Sequence, residues 1–251
     1  MSVTPLYGKI ADDLRQMIIS GDLAPGDRLP SEREICERYG VSHAVARQAI
    51  AYIRQQGLAV SHQGKGSFVS ERREYFRNIG SRYGRGFKPN LRESEEGGWT
   101  THVTSEFSQI QATDYIASRL DLSPGEMVTQ VIYRWLTDGE VTEKSIQWEP
   151  LNLIKGTPIE TPSSGDINQP DVLTRFDSIG IHVDEVKEEI RTRMPTPEEM
   201  QEMRIPVGVP VFEIQRTHLS FVPVETAIIV LRGDKWVLRN NQVVPVENES
   251  A

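Results

Sequence analysis

The chain has 251 residues, of which 37% are hydrophobic and 25% charged, with a formal net charge of −8; that is enough for two ordinary domains, each with its own core. No apolar run approaches the roughly 18 residues of a membrane span, and the N-terminus MSVTPLYGKI lacks a charged-then-apolar export signal, so a cytoplasmic protein without a membrane partner is expected. The single Cys36 excludes an intramolecular disulfide and reads as a packed thiol beside Ile35, and the histidines at 43, 62, 102, 182 and 218 show no ligand spacing, so neither a metal nor a cofactor is expected.

The first element is a helix over about residues 5–20, with Leu6, Ile10, Leu14, Met17 and Ile18 on one face and Gly21 as its stop. A second helix begins near Ser31, because Glu34 stands three residues on and each side chain can satisfy a backbone donor of the other. Tyr39-Gly40 closes it, and Ser42 is placed to cap a third helix running to about residue 55. Ala46, Ala49, Ile50 and Ile53 form the buried stripe of this third helix, leaving Ala44, Arg47, Gln48 and Ala51 outward. Arginine can bond two acceptors of guanine, glutamine can do the same for adenine, and alanine lets the helix backbone approach closely. Strands at 58–61 and 67–70 follow, joined through Gly64-Lys65-Gly66, whose lysine can meet a phosphate or enter a minor groove. Helix, helix, turn, helix and glycine-tipped hairpin make a winged helix-turn-helix.

These residues resemble the DNA-binding domain of the GntR family of bacterial transcription regulators. The family pattern L-x-x-G-x-x-L-P-S-E-R is matched by Leu23, Gly26, Leu29, Pro30, Ser31, Glu32 and Arg33, and its later pattern by Val41, Ser42, Arg47 and Ala49. Arg33, Ser42, His43, Ala44, Arg47, Gln48, Gly64, Lys65 and Gly66 are the DNA contacts that the resemblance and the outward face imply. His43 stands where the family usually has arginine and Val45 where it often has threonine, which alters the bases read at the start of the helix.

Charge divides the chain. Residues 1–92 carry 15 Lys and Arg against 9 Asp and Glu, a net of +6, whereas residues 93–251 carry 13 against 27, a net of −14, together making the −8. One part is drawn to phosphate and the other repelled by it. The stretch 72–100, with Arg72, Arg73, Arg77, Arg82, Arg85, Lys88, Arg92 and interspersed glycines, reads as a flexible basic linker between a head at 3–71 and a second domain at 101–244, with a tail at 245–251.

The acidic half contains an internal repeat: residues 113–135 align without gaps to 196–218, each copy reading as a threonine-capped helix, a glycine turn and a strand. Further strands are expected near 102–111, 141–149, 183–194 and 222–231, giving an α+β domain with an antiparallel sheet and helices on one face.

Pro124-Gly125, Asp138-Gly139-Glu140, the RMPTPEE stretch at 193–199, Gly208, Arg216-Thr217 and Pro223-Val224-Glu225 resemble the UTRA effector-binding domain of the HutC subfamily, a fold shared with chorismate lyase. The resemblance implies a two-domain regulator whose second domain dimerises and binds a small molecule. Members that bind sugar phosphates tend to use arginines on the strand before D-G-E and a glutamate on the strand after it. Here Arg134 is the one arginine in that strand, between Tyr133 and Trp135, and Ser145 takes the glutamate's place, so an aromatic-lined site suits a larger, less charged ligand. The effector-binding candidates are Tyr133, Arg134, Ser145, Arg191, Arg193, Arg216 and Glu225.

No nucleophile, acid-base or metal constellation supports catalysis. The leading expectation is an effector-responsive regulator, a repressor that binds a palindromic operator as a homodimer. The alternatives are a DNA-binding control protein with a degenerate, ligand-insensitive second domain, and a lyase-like enzyme.

Overall fold

The computed structural model describes residues 5–62, 64–70, 74–161 and 171–242. The chain divides into two compact units, residues 1–73 with 194–210, and residues 74–193 with 211–251.

In the first unit three helices, α1 (Leu6–Ser20), α2 (Glu32–Tyr39) and α3 (His43–Gln55), enclose a core of Ile10, Leu14, Ile35, Ala46, Ala49 and Ile53. The Ser31–Glu34 capping box forms, Ser42 accepts from the Val45 amide, and Gly40 closes α2 at φ 65°, a left-handed conformation that a side chain would strain. The wing strands are β1 (Ala59–His62) and β2 (Gly66–Val69), antiparallel with Ala59 opposite Val69. The expected hairpin is present, its pairing displaced one residue along each strand. Residues 27–29 tie the wing to the helices, Leu29 donating to the Ser67 carbonyl and Val69 to that of Asp27.

The second unit is built on six antiparallel strands in the order β4-β5-β6-β9-β8-β7. In chain order β3 (Tyr75–Asn78) and α4 (Pro89–Gly97) come first, followed by β4 (Thr101–Gln111), α5 (Asp114–Leu120), β5 (Met127–Thr137) and β6 (Glu140–Pro150). Then come α6 (Leu151–Ile154), α7 (Val172–Asp177), β7 (Glu185–Arg193), α8 (Pro197–Glu202, in the segment grouped with the first unit), β8 (Val211–Leu219), β9 (Pro223–Arg232) and β10 (Trp236–Arg239). The β5–β6 hairpin turns on Asp138-Gly139, with φ 48° and 83°, a conformation for which Asp-Gly is a preferred pair.

The repeat governs the whole sheet. A step of 83 residues, from Thr113 to Thr196, carries α5 onto α8 and β5 onto β8, and also β4 onto β7 and β6 onto β9. The strand order is therefore symmetric about the β6–β9 pair. Even the irregularities correspond, since the register slips between Trp135 and Leu136 on β5 and between His218 and Leu219 on β8.

Two expectations are corrected. Both faces of the sheet are covered: α5 packs on the side of Ile146, Trp148 and Ile228, while the paired β3–β10 strands bring Tyr75, Phe76 and Trp236, joined by Trp99 from the segment after α4, onto Ile214, Ala227, Ile229 and Leu231 of the opposite side. The stretch 72–100 is not an open basic connector over its described part, because β3 and α4 occupy 75–78 and 89–97 and Arg77 and Arg82 are buried. Those two guanidiniums are held by carboxylates of the second unit, which removes the solvation that a flexible linker needs. Arg72, Arg73 and the expected tail lie outside the described residues.

Candidate functional site

The outward face of α3 carries Ser42, His43, Ala44, Arg47 and Gln48, all exposed, while the alternate stripe is packed. Arg47 is 73% exposed and its Nε lies 3.2 Å from a carboxylate oxygen of Glu32, which also stands 3.7 Å from the His43 ring. An exposed ion pair of this kind contributes about 0–1 kcal/mol, so DNA can displace it. Arg33 is 78% exposed and lies 3.8 Å from Glu37. Gly64, Lys65 and Gly66 are exposed at the wing tip. The exposed Arg28 is an addition to the sequence candidates: its Nε would stand 3.1 Å from a Cβ placed on Gly66, so a loop arginine lies against the wing. Its position before Pro30 gave no periodic signal.

The second unit contains a cavity of about 160 Å³. Cross-strand partners share a sheet face, and the pairs Trp135–Glu143, Tyr133–Ser145 and Ser145–Ile229 place these lining residues on one face; Arg216 and His218 enter from β8 on that same face. In the repeat Tyr133 corresponds to Arg216 and Trp135 to His218, so the site takes aromatics from one half and basic groups from the other. The opposite wall comes from the former linker and α7, with Arg77, Arg82, Tyr83, Phe87 and Arg175.

Each cavity arginine faces a carboxylate. Arg77 donates to Glu188 at 2.9 Å and stands 3.9 Å from Glu143; Arg82 pairs with Glu93 at 2.6 Å, Arg175 with Glu149 at 2.8 Å, and Arg216 with Glu225 at 2.7 Å. His218 Nδ1 lies 2.5 Å from the second oxygen of Glu225, and the Tyr83 hydroxyl donates to Glu188. Burial alone would raise the Glu225 pKa, but Arg216 and His218 outweigh it and hold the carboxyl at about 2. Burial likewise opposes Glu188, yet Arg77, Tyr83 and Arg216 keep it below the usual carboxylate range. Glu143 goes the other way: burial raises its pKa and the more distant Arg77 and Arg82 only partly offset this. Burial also lowers the pKa of His218, despite Glu225.

Of the seven sequence candidates, Tyr133, Ser145 and Arg216 line the cavity, and Glu225, fully buried, braces Arg216 and His218 from beneath. Arg134, Arg191 and Arg193 do not enter it. Strand alternation turns them to the other face, where they pair with Glu106, Glu189 and Glu213. Arg134→Ala is therefore expected to leave the cavity's ligand affinity within about twofold of the parent, because its side chain lies on the face away from the cavity, beside the exposed Glu106; titration calorimetry checks this. The sequence reading missed Arg77, Arg82, Tyr83, Glu143, Arg175 and His218.

Among the described residues no cluster of His, Cys, Asp and Glu could hold a metal ion, and no helix is long and apolar enough to cross a membrane.

Comparison with known proteins finds a match to each part of the chain. The model of bacterial regulatory proteins of the gntR family matches residues 6–69, and that of the UTRA domain matches 96–236. The chain is 27% identical over 85% of its length to the mannosyl-D-glycerate transport/metabolism system repressor MngR of Escherichia coli K12, 85% of which is covered. It is 26% identical over 94% of its length to the transcriptional repressor NagR of Bacillus subtilis 168, 93% of which is covered. A solved structure named for the GntR family of transcriptional regulators is 34% identical and superposes with a TM-score of 0.68, covering 96% of this chain and 99% of that one. PhnF from Mycobacterium smegmatis, at 21% identity and a TM-score of 0.59 over 94% of this chain and 100% of its own, shares the fold. Both family models match in one chain, and the chain belongs to the GntR-family transcription regulators that carry a UTRA domain, DNA-binding proteins and not enzymes.

Proposed function

We propose that the protein is a repressor that binds a two-fold symmetric operator as a homodimer in the cytoplasm, and that a small molecule in the second unit's cavity lowers its operator affinity. The observation that carries this reading is the cavity itself, an open space that Tyr133, Trp135, Ser145, Arg216 and His218 of the sheet line together with Arg77, Arg82 and Arg175. A ligand-insensitive control protein has no comparable use for that space.

One reading helix covers a half-site, so specific binding needs two heads. Arg33, Ser42, His43, Ala44, Arg47, Gln48 and the wing residues Gly64, Lys65 and Gly66 are the proposed contacts to DNA. Lys65→Ala should weaken binding to all sequences about equally and reduce the salt slope by about 1, the loss of one phosphate contact; fluorescence anisotropy over a salt series measures it, and an unchanged slope removes Lys65 from the set. Footprinting over the promoter of the protein's own gene tests the whole proposal. A palindromic protected site that fades as cell metabolites are added is the expected result, and protection without internal symmetry argues against a dimeric reader.

A further inference from the structure

We infer that the cavity selects an uncharged, hydroxyl-rich, single-ring molecule and excludes doubly charged phosphate esters; this rests on the reading of the cavity as an effector site and names the ligand's class.

Size sets the first limit. At about 160 Å³ the space is smaller than the roughly 300–1,000 Å³ that drug-sized ligands occupy, which suits one ring rather than a nucleotide. Charge sets the second. The four arginines of the wall look like an anion site, but each already faces a carboxylate of its own: Glu188, Glu93, Glu149 or Glu225. Glu143 adds a further carboxyl on the lining, with its nearest arginine nitrogen 3.9 Å away. A phosphate dianion brought among these pairs would meet no net positive charge to replace the water it gives up, and would push against the four carboxylates that hold the arginines.

The hydrogen-bonding inventory points to hydroxyl groups instead. Arg77 and Arg216 line the space, and a guanidinium has five N–H groups, more than its carboxylate engages, so each can donate to a neutral oxygen while keeping its ion pair. Ser145, Gln147 and Glu143 on β6 offer acceptors for the hydroxyl protons of the same molecule. A ring with polar edges and an apolar face has a surface to meet as well, since Tyr133 and Trp135 stand on the neighbouring strand β5. Burial favours the neutral form of Glu143, which would let that carboxyl donate as well as accept.

The test uses the full chain and matched probes: D-glucose, D-mannose, D-galactose, N-acetyl-D-glucosamine and myo-inositol, each beside its monophosphate ester, scored by thermal shift and then by titration calorimetry. At least one neutral probe is expected to bind at least tenfold more tightly than its ester, and Ser145→Ala is expected to weaken it several-fold. Arg77→Lys, which keeps the charge and removes the guanidinium's additional donors, should do the same. If Arg77→Lys fails to fold, Ser145→Ala carries the site assignment alone. An ester that binds more tightly than its parent, or a panel in which no neutral member binds, overturns the inference. The two readings fail separately: an ester that binds and releases the operator overturns the ligand class and keeps effector control, whereas a neutral ligand that leaves operator affinity unchanged does the reverse.

Discussion

Glu225→Ala is expected to destabilise the second unit by about 3–5 kcal/mol, the scale for removing one partner of a buried ion pair and leaving the other charge unpaired. Glu225 is fully buried and is the acceptor shared by Arg216 and His218, so its loss strands two groups at once. All four tryptophans, Trp99, Trp135, Trp148 and Trp236, lie in this unit, and denaturant unfolding followed by tryptophan fluorescence therefore reports on it separately from the head. The same cluster sets a pH dependence. Buried His218 is held neutral, with its pKa below the ordinary value of about 6.5, so its contribution is complete above that pH and declines as the pH falls below it. Glu225, at about 2 when folded against roughly 4.3 unfolded, contributes fully above its unfolded pKa and loses that contribution as the pH drops toward the folded value. The contribution of this pair should therefore be lost in two stages on acidification, that of His218 from about pH 6.5 downward and that of Glu225 below about pH 4.3. A midpoint for Glu225→Ala within about 1 kcal/mol of the parent would contradict the assigned role.

Arg47→Ala is expected to retain weak, salt-sensitive DNA binding and lose about 1–3 kcal/mol of sequence discrimination, the value of one bidentate base contact. Contacts to phosphate position a protein on the duplex and base-edge contacts specify the sequence, so removing a base reader lowers specific affinity toward the non-specific level. The ion pair of Arg47 with Glu32 is too exposed for its loss to unfold the head. Competition binding with operator and scrambled duplexes measures the effect. A variant that selects its operator as well as the parent would show that the outward face of α3 is not the reader.

The head was legible in sequence because its signals are local. A capping box at Ser31 and Glu34, a capping serine at 42 and the glycines at 40, 64 and 66 each act within four residues, and the structure forms those caps where they were expected. The repeat was also legible, since two copies of one pattern carry one topology. The cavity was less so, for two physical reasons. Its outer wall includes β3, four residues whose partner β10 lies near the other end of the chain, and a pairing so distant leaves no periodic trace between basic residues and glycines. The choice of sheet face was the second obstacle. Arg134 alternates with Tyr133 and Trp135, so all three cannot point into one space, yet both faces of this sheet are covered and both carry charges, and the pattern alone does not say which encloses the cavity. Arginine identity pointed to Arg134, Arg191 and Arg193. Arg77, Arg82 and Arg175, from segments outside the six-stranded sheet, are the ones that line the space.

Effector control is a coupling between two binding events, and couplings of this kind amount to about 1–3 kcal/mol, or roughly 5- to 150-fold. A ligand can shift the head's affinity only by as much as its own affinity differs between the free and the operator-bound protein. Titration calorimetry of a cavity ligand, with the full-length protein alone and then saturated with operator DNA, measures that difference directly. The predicted result is weaker ligand binding in the presence of operator, by the same factor by which the ligand weakens operator binding; equal affinity in the two titrations would contradict the proposed control.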